Sequence, residues 1–94
     1  MISAEKIIEE IIHVCEKHFV ERAILFGSRA KGTALERSDI DIAVSGVKDY
    51  DALLEEIEEI PTLYKIDLVD LDSCRNTLLK EDIERYGRKI YEKI

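Results

Sequence analysis

The stretch that decides the fold is ILFGSRAKGTALERSDIDIAV, residues 24–44. An apolar run closes on Gly27-Ser28, ten mostly polar residues follow, and Asp39 and Asp41 then alternate with Ile40 and Ile42. Aspartate is depleted in strands, yet alternation of this kind reads as one. Residues i and i+2 of a strand point to the same side. Asp39 and Asp41 therefore share a face while the isoleucines pack on the other. Neighbouring carboxylates repel, and a divalent cation is the usual way to make such an arrangement favourable.

Outward from this stretch, the pattern alternates helix and strand. Ile7, Ile8, Ile11, Ile12, Cys15 and Phe19 recur at helical spacing behind Ser3, which predicts an N-capped amphipathic helix over 4–18. RAILFG, residues 22–27, reads as a buried strand closed by glycine, and DIDIAVS, residues 39–45, as the next. The short polar link between them favours an antiparallel or splayed pair around a helical turn at 28–32. In DYDALLEEIEEI, residues 49–60, Leu53, Leu54, Ile57 and Ile60 form one stripe, capped by aspartate and stopped by Pro61. YKIDLVDL, residues 64–71, alternates as a third strand. Residues 76–87 read as a helix ended by Gly87, and RKIYEKI, residues 88–94, as an edge strand or a last turn. The expected fold class is α/β (α+β), a small mixed sheet of three to four strands with helices packed on one face.

Composition narrows the function. Ninety-four residues with 46% apolar and 37% charged content suit one globular domain, residues 1–94. A net charge of −7 argues against direct binding of a long nucleic acid. Acidic residues interrupt the apolar positions of the N-terminal stretch, so neither a signal peptide nor a membrane span is expected. Cys15 and Cys74 lack metal-ligand spacing and read as reduced thiols, which points to the cytoplasm, with Cys15 in the core. His13 and His18 read as solvated or locally bonded, and the acidic run EEIEE, residues 55–59, as a solvated helix face. An apolar patch for self-association or partner docking is expected, at no position the sequence locates.

The chemistry concentrates in two places. Hard oxygen ligands that leave positions open to substrate phosphate suit Mg²⁺. KIDLVDLD, residues 65–72, offers Asp67, Asp70 and Asp72; Asp67 lies within the alternating strand and is the expected third ligand, with the roles of Asp70 and Asp72 left open. Gly27 lets backbone approach a phosphate, and Ser28 with the amides after the turn donates to its oxygens. Arg29 and Lys31 lie close enough in sequence to neutralise a polyphosphate. An Asp-x-Asp pair alone is commonly a solvated sheet face, and Gly-Ser after a strand is commonly a plain turn. Their joint occurrence ten residues apart, before a further strand aspartate, is much harder to assign to chance.

GSRAKGTALERSDIDIAV, residues 27–44, resembles the signature of the minimal nucleotidyltransferases (MNT proteins) of the DNA polymerase beta-like nucleotidyltransferase superfamily. The resemblance extends over nearly the whole chain, including the leading helix, KIDLVDLD and the closing IERYGRKIY. It implies the nucleotidyltransferase fold, with Asp39, Asp41 and Asp67 as catalytic metal ligands for two Mg²⁺ ions and Gly27 and Ser28 holding the triphosphate of ATP. It further implies attack of an acceptor hydroxyl on the α-phosphorus, with Asp67 helping to activate it. Proteins of this kind are typically encoded with a HEPN-domain RNase toxin and add AMP to one of its tyrosines. The resemblance thus implies a cytoplasmic antitoxin, a protein adenylyltransferase, alone or in a homo-oligomer or a hetero-oligomer with its partner. Two alternatives stay open: a non-catalytic antitoxin that acts by complex formation, and a small-molecule adenylyltransferase completed by a separate substrate-binding subunit.

Overall fold

In a computed structural model, residues 3–93 are described; Met1, Ile2 and Ile94 lie outside them, including the last residue of the RKIYEKI stretch. The order is α1 (Ala4–Lys17), β1 (Arg22–Phe26), α2 (Ser28–Lys31), β2 (Ile40–Ser45), α3 (Tyr50–Glu58), β3 (Ile66–Asp70), α4 (Thr77–Tyr86) and β4 (Arg88–Glu92). Side chains start the three longer helices: Ser3 accepts from Lys6 N, Asp49 from Ala52 N, and Asn76 from Leu79 N. Each satisfies one of the amides that a helix start leaves without a partner.

The four strands form one sheet in the order β3-β2-β1-β4. β1 runs antiparallel to β2 and to β4, whereas β2 and β3 are parallel. The tight β1–β2 link allows the antiparallel pairing, and the α3 crossover supplies the long return that a parallel pair needs. The closing stretch is a strand, with a register shift against β1 between Ala23 and Ile24.

One face of the sheet is covered by α1 and α3. Ile7, Ile11 and Cys15 of α1 and Leu53 and Ile57 of α3 are buried with Ala23, Leu25, Ile40, Ile42 and Val44. Full burial of an isoleucine or leucine is worth about 1.5–3 kcal/mol, so this layer carries most of the fold's apolar stabilisation. Glu56 of α3 ties the end of α1 down, 2.9 Å from both Lys17 Nζ and His18 Nε2. Tyr50 closes the other side, its hydroxyl donating to Leu68 O at 2.9 Å. Burial pushes the Cys15 thiol up to about 11, so it behaves as a small hydrophobe.

The mixed sheet matches the expected class, but its helices are not confined to one face. Ile83 of α4 is buried against Phe26 and Ala43, with Ile24, Val69, Leu71 and Leu79 around them. These sheet residues alternate with the first set and point to the opposite side. A second apolar row hidden among the aspartates of β2 and β3 gives α4 its seat.

Candidate active site

Asp41 lies in the second residue of β2, and the sheet register sets its neighbours. Across the antiparallel pair it faces Phe26; across the parallel pair it faces Asp67. Paired residues in adjacent strands present side chains to the same side, so Asp41 and Asp67 meet on the face that α4 partly covers. Asp39 stands one residue before the strand and is exposed, whereas Asp41 and Asp67 are half-buried. Burial, then the charge of Asp67 and a hydrogen bond with it, then Asp39, push the Asp41 carboxyl up to about 6, against an opposing pull from Lys65. At neutral pH this strand start holds crowded negative charge.

Gly27 follows β1 directly and meets the same carboxylate. Its φ of +74° with ψ of −155° is a conformation that side chains rarely adopt. A Cβ here would run into Asp41 Oδ2, with Cγ at 3.2 Å. The Gly-Ser turn is thus placed where bare backbone lies against a site carboxylate. Ser28 opens α2, and the Gly27 carbonyl accepts from both Ala30 N and Lys31 N at 3.2 Å.

The other sequence candidates are placed differently. Arg29 donates to backbone carbonyls of the loop ahead of Asp39, and Lys31 Nζ lies 3.0 Å from Asp82 of α4, with the Tyr86 ring at 5.1 Å. Asp70 accepts from Asp72 N at 3.1 Å, and Asp72 accepts from Gly46 N at 2.7 Å. Both therefore build the turn after β3, at the end of the strand remote from Asp67. Lys65 was missed by the sequence reading, although it lies two residues before Asp67 and so shares its side; its Nζ is 3.7 Å from Asp67 Oδ1. Asp82 and Tyr64 were also missed, because their partners lie on other elements and leave no periodic signal.

The carboxylates fit a hard divalent cation. Two half-buried oxygen donors are held together at the cost of mutual repulsion, and glycine keeps one flank open. Among the described residues no three His, Cys, Asp or Glu side chains form a ready cage. Mg²⁺ is commonly held by one or two carboxylates with substrate phosphates completing the shell. Cavities of ≈ 640 and ≈ 520 Å³ share Arg22, Ser45 and Asp72 at the opposite end of the sheet and have no part in this arrangement. Among the described residues no helix is long and apolar enough to cross a membrane.

Comparison with known proteins converges on one family. The family model "Polymerase beta, Nucleotidyltransferase" matches residues 9–94. MJ1379 of Methanocaldococcus jannaschii, provisionally named a protein adenylyltransferase, is 38% identical over 76 residues, covering 73% of this chain and 75% of that protein. A chain in the crystal structure of a toxin–antitoxin with AMP-PNP superposes with a TM-score of 0.66 at 27% identity, covering 90% of this chain and 73% of that one. A chain in a mutant of the toxin–antitoxin MntA–HpeT gives 0.64 at 25% identity, with the same coverage.

Proposed function

The chain belongs to the polymerase beta nucleotidyltransferase family and is a nucleotidyltransferase; from that premise we propose that it is an antitoxin that transfers AMP from ATP to a tyrosine hydroxyl of a HEPN-domain RNase toxin. The observation that carries the chemistry is the row Gly27, Asp41 and Asp67, in which bare backbone and two carboxylates meet at adjoining strand ends. The likeness to MJ1379 supports protein as the acceptor, and the likeness to chains of toxin–antitoxin complexes supports a toxin as that protein. One minimal nucleotidyltransferase domain over residues 1–94 belongs to the same proposal.

In this reading Gly27 and Ser28 bind the triphosphate through backbone and hydroxyl donors, and Lys31 exchanges Asp82 for a phosphate oxygen. Asp39, Asp41 and Asp67 would hold Mg²⁺, two ions in the full form, which when bound neutralises charge on the phosphates and on the displaced pyrophosphate. Asp67 takes the proton from the acceptor hydroxyl. That oxygen attacks the α-phosphorus, the bond from the α-phosphorus to the bridging oxygen breaks, and pyrophosphate leaves in line. The raised Asp41 carboxyl reflects burial and crowding with Asp67 and Asp39, which supports a cation rather than a bare anion as the first ligand of this corner.

The test is intact mass spectrometry of the protein and the protein encoded beside it, after incubation with Mg²⁺-ATP. AMP additions on the neighbour, absent with Asp39→Ala/Asp41→Ala, are the expected result. Tight complex formation without any addition, equal for both forms, would replace this reading with a binding-only antitoxin.

A further inference from the structure

Arg29 follows Ser28, where a basic side chain reads most simply as a counter-charge for phosphate. Its guanidinium is engaged elsewhere. Nε and Nη2 both donate to Ser38 O, at 3.2 and 2.7 Å, and Nη2 also donates to Glu36 O at 3.2 Å. Arg29 Cζ lies 5.1 Å from the centroid of the Tyr64 ring. Ser38 immediately precedes Asp39, and Tyr64 lies three residues before Asp67. Just beyond, Ile40 N donates to Lys65 O at 2.9 Å, where β2 and β3 begin to pair.

Among the described residues, few other hydrogen bonds fix the loop ahead of β2. Within it, Leu35 N donates to Ser38 Oγ at 2.8 Å and Ser38 N to Leu35 O at 3.1 Å, which shapes a local turn without anchoring it to the sheet. We infer that Arg29 is a positioning residue for the carboxylate site: one guanidinium, projected from the Gly-Ser helix, clamps the segment entering Asp39 and braces the segment leading to Asp67. The inference rests on the proposed role of Asp39, Asp41 and Asp67 in cation binding. A planar fork with several donors and a face for stacking meets this task, and an ammonium group does not. The carbonyls it satisfies would otherwise turn to water and leave Asp39 on a freer tether.

The test is Mn²⁺ titration of the full chain without nucleotide, followed by electron paramagnetic resonance, together with hydrogen exchange across residues 33–40. Arg29→Ala and Arg29→Lys are both expected to weaken Mn²⁺ binding about tenfold, the scale on which loss of a ligand's supporting hydrogen bonds is felt. Both are also expected to exchange faster across that segment. A purely electrostatic role gives the opposite sign, because removing a cation beside carboxylates tightens Mn²⁺ in Arg29→Ala. Unchanged or tighter Mn²⁺ binding in Arg29→Ala, wild-type affinity in Arg29→Lys, or unchanged exchange would each overturn the inference. Should Arg29→Ala not fold, Arg29→Lys and Tyr64→Leu, both checked by thermal melting, carry the test; Tyr64→Leu removes the ring under Arg29 while keeping an apolar side chain against the core, and is expected to weaken Mn²⁺ severalfold. Asp39→Asn separates the two levels. If it leaves Mn²⁺ binding intact, the carboxylate reading fails and takes this inference with it. If it weakens Mn²⁺ binding while the Arg29 variants do not, the positioning inference alone falls.

Discussion

Replacing Asp41 with asparagine in the cation-free protein should raise its stability at neutral pH while removing its transfer activity. The Asp41 carboxyl is pushed from its ordinary 3.8 up to about 6 by burial, Asp67 and Asp39. A carboxylate with a raised folded-state pKa destabilises the fold once it ionises. That penalty is absent below about pH 4, grows as the pH rises through about 6, and is complete at pH 7 and above. The span from 3.8 to about 6 corresponds to roughly 3 kcal/mol if taken whole. Asp41 is only half-buried, and water screens the repulsion, so about 1 kcal/mol is the expected effect. In a chain of this size that is roughly 4–8 °C in Tm. Thermal melts of wild type and Asp41→Asn in EDTA at pH 4 and pH 7.5 read it directly. Asparagine should melt higher at pH 7.5 and level with wild type at pH 4. Mg²⁺ should then raise the Tm of the wild type and not of the variant, since only a site that binds in the folded state gains by mass action. A gain that is equal at both pH values, or a loss at pH 7.5, would refute the crowding argument.

Two further substitutions probe the same corner. Gly27→Ala adds a Cβ against Asp41 at a backbone conformation foreign to alanine. It should cost about 1–3 kcal/mol in urea unfolding, and AMP transfer should fall about a hundredfold through displacement of Asp41. Lys31→Met breaks the 3.0 Å pair with Asp82, which is partly exposed, so melting should change by less than about 1 kcal/mol. If Lys31 turns to the phosphate in the ATP complex, steady-state kinetics should show KM for ATP raised about tenfold with kcat retained, the scale of one charge-assisted hydrogen bond.

Periodicity made much of this fold legible. The isoleucines of α1, the stripe of α3 and the alternation of β2 and β3 each placed an element to within a few residues, because a buried face must recur at the period of its backbone. Side-chain parity likewise put Asp39 and Asp41 on one face, and the alternation of the next strand singled out Asp67 as their expected companion. What stayed illegible was pairing between elements. Nothing local to Ile83 or Leu79 states that α4 covers the second face, since the apolar row it meets is split among Ile24, Phe26, Ala43 and Val69. Arg29 and Lys31 look alike in sequence, two basic residues after a Gly-Ser turn, yet one reaches loop carbonyls and the other reaches Asp82. Their difference is set by which strand and helix ends converge on α2.

The position of α4 also explains why the carboxylates sit where they do. Along β2, Asp41 and Ala43 share a face; along β3, so do Asp67 and Val69. Ala43 and Val69 belong to the apolar cluster beneath α4, and Asp41 and Asp67 are the next residues toward the strand starts. The change from apolar to acidic therefore falls along one line across two parallel strands. On one side of that line α4 excludes water and stabilises the sheet; on the other the face stays open, where the proposed cation site lies. A carboxylate placed two residues later would lie under α4 without a partner, at a cost of several kcal/mol. Two residues earlier it would leave the sheet, as Asp39 does, and depend on a loop for its position. Asp41 and Asp67 occupy the pair of positions that the ladder still holds rigid and that the helix does not cover. Asp39, one residue outside the ladder, is the carboxylate that needs Arg29.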